Sequence, residues 1–145
     1  VKYLAERDVP LLIYQGRINL IDHAPIEEGI LDECERSGVG FISFSPLAQG
    51  LLTDRYLNGI PEGSRMAKEH FLKSSMLTPE LLAELKRLNG IAESRGEKLA
   101  DMALAWILHH KAVTSVLVGA SSTEQLQTNI KCINAAPFSE EILKD

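Results

Sequence analysis

The chain has 145 residues, of which 45% are apolar and 24% charged, and its net charge is −5 at neutral pH. That is an ordinary size and composition for one globular domain with a real core. The acidic balance argues against nucleic acid as the main partner, because such proteins normally need a basic face, and no apolar run reaches the ~18 residues of a membrane span.

Val1 to Arg7 reads as the last turns of a helix that meets Asp8-Val9-Pro10 and a strand. The chain starts without Met at what looks like a helix-to-strand junction, so it is expected to be the C-terminal part of something longer. Leu11 to Tyr14 is a short apolar run, as in a buried parallel strand. Polar Gln15 closes it. Glu27 to Ser37 carries Ile30, Leu31 and Cys34 at helical spacing and ends at Gly38, a C-cap residue. Val39 to Phe44 is a second strand. Residues 46 to 77 show weak periodicity and contain Asn58-Gly59-Ile60-Pro61 and Glu62-Gly63-Ser64-Arg65. They are expected to form a long loop, functional or mobile.

Thr78-Pro79-Glu80 is a helix start with Thr as N-cap and Pro at the first helical position. Leu81, Leu82, Leu85, Leu88, Ile91 and Ala92 keep the helical period to near Gly96. A second helix follows, with Leu99, Met102, Ala103, Trp106 and Ile107 on one face. Ser115 to Val118 is a third strand. Ser121-Ser122-Thr123-Glu124 has the spacing of a capping box, and Leu126, Ile130 and Ile133 form the apolar face of the helix behind it. Pro137 to Asp145 carries no more than a short helical turn. Apolar strands alternating with helices imply a parallel α/β sheet. Three such strands leave two unpaired edges, which again implies strands upstream. Cys34 and Cys132 have no metal-ligand spacing and read as reduced thiols of a cytoplasmic protein. No metal site is expected, and the first residues show no charged-then-apolar signal pattern.

Function is concentrated at the strand ends. Gly119 allows close backbone approach, Ser121 and Ser122 add hydroxyls, and the helix behind them offers free N–H groups, a combination suited to phosphate. An ordinary capped helix would read the same way. The second strand ends in Phe44, Ser45, Pro46, Gln49 and Gly50. Phe44 is placed either to stack on a flat ligand or to pack in the core. Arg55 and Arg65 are either phosphate ligands or solvated loop residues. Gln15 has the donors and acceptor to hold a ligand amide, or to satisfy backbone at the sheet end.

Taken together, these residues resemble the C-terminal part of an aldo-keto reductase. Phe44-Ser45-Pro46-Leu47-Ala48-Gln49-Gly50-Leu51-Leu52-Thr53 resembles that family's strand-seven motif. Asn58-Gly59-Ile60-Pro61 with Ser64-Arg65 resembles the cofactor loop that follows. Gly119-Ala120-Ser121-Ser122 with Glu124-Gln125-Leu126 and Asn129 resembles the strand-eight motif. The similarity runs from about Val9 to Phe138. It is closest to the branch of bacterial glyceraldehyde 3-phosphate reductases and potassium-channel beta subunits.

The resemblance implies an α/β fold, namely the C-terminal portion (strands 6–8) of a (β/α)8 TIM barrel. Residues 1–145 would be its cofactor-binding part, with strands 1–5 absent. It implies an oxidoreductase that reduces aldehydes or ketones to alcohols with NADPH as cofactor. Gln15 would hold the nicotinamide carboxamide, and Phe44 would stack on the ring. Ser45, Pro46, Leu47, Gln49 and Gly50 would line the pyrophosphate, with Arg55 beside it. Arg65, Gly119, Ser121 and Gln125 would serve the 2′-phosphate and adenosine, and Asn129 the adenine. Thr128 departs from the branch, which has Glu there, so one adenine or ribose contact is in doubt.

The family's proton-donating Tyr and its Lys, Asp and His partners lie on strands two to four, outside this chain. Tyr14, Asp22, His23, His109 and His110 do not stand in that family context, where the general acid is a Tyr beside a Lys, and none is paired so. No catalytic residue is therefore expected here, and the chain alone is expected to be inactive. A carbonyl substrate is the expected partner, with no nucleic acid and no membrane. A homo-oligomer is left open. The alternative is an NADPH-binding, redox-sensing regulatory subunit like the channel beta subunits.

Overall fold

The computed structural model describes residues 1–143. One helical turn, α1 (Lys2–Ala5), precedes strand β1 (Ile13–Arg17). Helices α2 (Ala24–Glu27) and α3 (Ile30–Ser37) lead to β2 (Gly40–Phe44). The long segment 46–77 and helices α4 (Pro79–Ser94) and α5 (Leu99–His109) precede β3 (Val113–Val116), and α6 (Thr123–Ile130) follows it. The strands form one parallel sheet in the order β1-β2-β3. Parallel neighbours need a crossover between them, and the helices supply it.

The first strand lies later than its apolar run. Pairing with β2 runs from Ile13 opposite Gly40 to Arg17 opposite Phe44. Ladder hydrogen bonds belong to the backbone, so they continue through polar Gln15. Gly16 makes this possible, because a Cβ there would lie 2.7 Å from Cζ of Phe41. Gln15 is consequently a mid-strand residue and does not close the strand. The third strand lies two residues earlier than expected. Its register slips between Phe41, opposite Val113, and Ile42, opposite Ser115. Thr114 is the extra residue, a bulge, and its Oγ1 donates to Phe41 O at 3.2 Å.

The expected helix from Glu27 to Ser37 is two helices. Gly29, at φ +71°, breaks the turn between α2 and α3. Gly38 ends α3 at φ +67°, and Val39 N–H reaches back to Cys34 O at 2.9 Å, the bond that closes a Schellman turn. α4 starts as its sequence indicates, with Thr78 Oγ1 accepting from Leu81 N–H at 3.2 Å and Pro79 in the first turn.

Two apolar clusters hold the molecule. One joins the helix-facing side of the sheet to α3 and the end of α5 through Ile18, Leu31, Cys34, Phe41, Ile107 and Val113. The other joins α4 and α5 to segment 46–77 through Leu51, Leu52, Tyr56, Met66 and Leu72, all buried. The long segment is thus a packed, irregular layer with three short 3₁₀ turns. A mobile loop would not bury five large side chains.

Side chains alternate across a strand, so the partners Tyr14, Phe41 and Val113 face the helices, and Gln15, Ile42 and Ser115 face the other way. On that second side Ile13, Phe44 and Leu117 are 44%, 37% and 48% exposed.

α6 also differs from expectation. Ser122 is its N-cap, with Oγ accepting from Gln125 N–H at 3.1 Å. Leu126, Ile130 and Ile133, its expected apolar face, are exposed, and the buried residue of α6 is Asn129. The tail is tied down at Arg95, whose guanidinium donates to Ala136 O at 2.8 Å, pairs with Glu97 and lies over the Phe138 ring. The expected helical turn is present as Leu143 N–H to Ser139 O, 3.2 Å. Residues 144 and 145, the end of that expected tail, lie outside the described residues.

Candidate functional site

The carboxyl ends of β2 and β3 open onto one cleft of about 780 Å³. Its floor is the turn from Ser45 to Gly50. Here Ser45, Ala48 and Gln49 all have positive φ, at +52°, +46° and +60°. None is glycine, so each stores strain on the order of 1–3 kcal/mol. Several bonds over-determine the turn. Asn19 Nδ2 donates to Ser45 O at 3.2 Å, and Ser43 Oγ to Ile18 O at 3.1 Å, stitching the end of β1 to that of β2. Thr53 Oγ1 donates to Gly50 O at 2.7 Å and accepts from Arg55 N–H at 3.3 Å.

Arg65 enters from the long segment. It sits between buried Ser64 and Met66, and Ser64 Oγ accepts from Ala67 N–H at 3.2 Å. A surface arginine is thereby presented on an anchored backbone. The opposite wall is the run from Leu117 to Ser122 with the first turns of α6. Gln125 Oε1 accepts from both Ser121 N–H, at 2.8 Å, and Ser121 Oγ, at 3.0 Å. Its amide NH2 is left as a donor. A Cβ on Gly119 would meet no atom within 4 Å, so packing within the chain does not demand a glycine there. Asn129 is 5% exposed, and its Nδ2 has no hydrogen-bond partner. A buried amide donor without a partner is costly, on the order of 1–3 kcal/mol, unless something arrives to accept from it.

Of the thirteen residues read as cofactor ligands, eleven line this cleft: Ser45, Pro46, Leu47, Gln49, Gly50, Arg55, Arg65, Gly119, Ser121, Gln125 and Asn129. Gln15 and Phe44 do not. They share the sheet side turned away from the helices, with Gln15 opposite Ile42, two residues before Phe44. A smaller cavity of about 230 Å³ lies beside the main cleft, between the end of β1 (Arg17, Asn19, Asp22) and Ser45, Gln49, Leu72 and Met76.

The cleft also holds residues to which the motifs assign no cofactor role, among them Thr53, Asp54, Lys98, Ala100 and Glu124. Ser122, whose hydroxyl the sequence places at a phosphate site, lines the cleft too, and its Oγ also caps α6. Lys98 had no local signal, since α5 is brought to the cleft by packing alone.

Charge separates this cleft from the rest of the surface. Arg55, Arg65 and Lys98 line it against Asp54 and Glu124, in a chain of net charge −5. The chain has seven arginines. Arg7, Arg17, Arg36, Arg87 and Arg95 each have a carboxylate partner, whereas Arg55 and Arg65 have none among the described residues. Both unpaired guanidinium groups therefore open on the same cleft.

Parallel strands whose carboxyl ends meet such a cleft define the α/β class that binds its ligands at that end of the sheet. The profile described as "Aldo/keto reductase family" matches residues 1–145. The chain belongs to that family. It is 49% identical, over 99% of its length, to an L-glyceraldehyde 3-phosphate reductase of Escherichia coli O157:H7, and spans 42% of that protein. It is 33% identical, over 92% of its length, to a probable voltage-gated potassium channel subunit beta of Arabidopsis thaliana, again spanning 42%. Among solved structures, a glycerol dehydrogenase of Gluconobacter oxydans superposes with a TM-score of 0.74 at 24% identity, over 95% of this chain and 42% of the other. That likeness shows a shared fold, the α/β architecture of the aldo-keto reductase barrels.

Proposed function

We propose that the chain is the cofactor-binding part of an NADPH-dependent aldo-keto reductase and supplies strands six to eight of its barrel. The observation that supports this most is the meeting of both unpaired arginines with the orphaned Asn129 amide in one cleft. A dinucleotide phosphate matches that donor set: anionic phosphates for the guanidinium groups, and ring nitrogens as acceptors for an amide. In this reading the Ser45–Gly50 turn and Arg55 hold the pyrophosphate. Arg65, Ser121 and Gln125 hold the 2′-phosphate and ribose, and Asn129 meets the adenine. Gln15 and Phe44, on the adjoining sheet face, orient the nicotinamide. The bound cofactor supplies the hydride for a carbonyl carbon, and the protein's part is to position it.

The proton donor lies outside these 145 residues in this reading, so the chain alone reduces no carbonyl. The complete protein should oxidise NADPH in the presence of small aldehydes. The name of the Escherichia coli relative makes a phosphorylated triose aldehyde the first to try. Loss of NADPH absorbance that depends on the aldehyde is the expected result. No turnover with any aldehyde or ketone, together with no measurable NADPH binding, would sink the proposal. Tight binding without turnover would favour the regulatory-subunit alternative.

A further inference from the structure

The cleft has a cation and a helix start that belong to none of the three motifs. Lys98 is the N-cap residue of α5, and its side chain makes no capping bond. It is exposed and takes part in no ion pair among the described residues. Lys98 and Ala100 both line the cleft, so the uncapped first turn of α5 opens there. The N–H groups of an uncapped first turn are unsatisfied donors carrying partial positive charge.

A second observation belongs to the same cleft. Asn129, on α6, is buried against this wall with its Nδ2 unpartnered, and α5 and α6 pack together. Its neighbour Thr128 also lines the cleft but turns its hydroxyl into its own helix, donating to Glu124 O at 3.0 Å. Position 128 thus adds no negative charge to the cleft. The nearest acid on α5 is Asp101, whose carboxyl is held above its usual range by burial, with Lys98 and Lys131 acting against that rise.

We infer that Lys98 and the open first turn of α5 form an anion subsite that, with Arg65, selects a 2′-phosphorylated dinucleotide over its unphosphorylated counterpart. The inference rests on the cofactor reading above and adds a residue to it. A 2′-hydroxyl is neutral and offers Lys98 no charge to pair with, so Lys98 acts on the preference between the two cofactors more than on binding as such.

The test uses the complete protein, unmodified and as K98M and K98R, titrated with NADPH, NADH, 2′,5′-ADP and 5′-AMP. K98M should weaken NADPH and 2′,5′-ADP about tenfold and leave NADH and 5′-AMP within about twofold, as expected for one charge-assisted contact. K98R, which keeps the charge, should retain the preference. Thermal melts unchanged from the unmodified protein would show that the fold is intact. Equal weakening of all four ligands, or of none, would overturn the inference and leave the cofactor reading standing. An unmodified protein that binds neither dinucleotide would overturn both.

Discussion

Segment 46–77 and helix α6 stand in opposite relations to the core. The segment has almost no regular structure, yet it buries Leu51, Leu52, Tyr56, Met66 and Leu72. α6 is a regular, capped helix, yet it leaves Leu126 and Ile130 exposed, with Ile133 just beyond its end, and buries an asparagine. Local order and burial are separate properties. Capping and helical spacing are decided within a few residues, whereas burial depends on what the rest of the molecule brings alongside. Both regions meet at the cleft, the segment through Arg55 and Arg65 and α6 through Gln125 and Asn129.

The contrast can be broken most directly at Leu52, which is fully buried. Leu52→Ala should cost about 2–5 kcal/mol, the range for a truncated core leucine. Denaturant unfolding would measure it, and a loss below about 1 kcal/mol would mean that the segment is a loosely attached flap. The same segment carries the expected functional effect. Arg65→Ala should weaken NADPH about 10- to 100-fold, from loss of one charged hydrogen-bonding group. A Kd unchanged from the parent would detach the segment from the site.

On α6, Ser122→Ala removes the cap bond to Gln125 N–H and should cost about 1 kcal/mol. Ser121→Ala leaves that cap in place, so a larger loss there would reverse the assignment. Acid serves as a control that strikes neither region. His110 ends α5 with its ring edge-on to Trp106, at 4.8 Å between centroids, and its Nε2 is buried without a partner. Burial, and then the nearby His109 and His23, hold its pKa below the ordinary 6.5. The fold therefore favours the neutral ring, and the unfolded chain takes up the proton first. Stability is full above about pH 6.5 and falls as the pH drops below that value towards the folded-state pKa. Melts followed by the single tryptophan should show Tm decreasing on acidification, and His110→Gln should flatten that slope. Smallest of all, Ile130→Gln in this chain should change stability by no more than about 0.5 kcal/mol, as for an exposed position. A cost comparable to that of Leu52→Ala would show that α6 buries its apolar side after all.

Much of the lining of the candidate cleft was legible because those residues are clustered along the chain. Ser45 to Gly50 and Gly119 to Asn129 are each continuous stretches, and a strand that runs into small polar residues marks a functional end locally. Gln15 and Phe44 were harder to place, because a sheet side is fixed by register. β1 starts two residues into its apolar run and continues past it, so Gln15 lies mid-strand and not at its end. The split at Gly29 was visible as a glycine, but helical spacing on both sides of it concealed the break.

The order of strands and helices and the Thr78 and Gly38 caps follow from the local sequence, because each depends on contacts within a few residues. Tertiary structure alone decided that segment 46–77 is core, that Lys98 joins the cleft and that the two unpaired arginines open on one space. Those facts depend on which distant groups pack together and on which charges find partners, and neither is written in any local stretch of the chain.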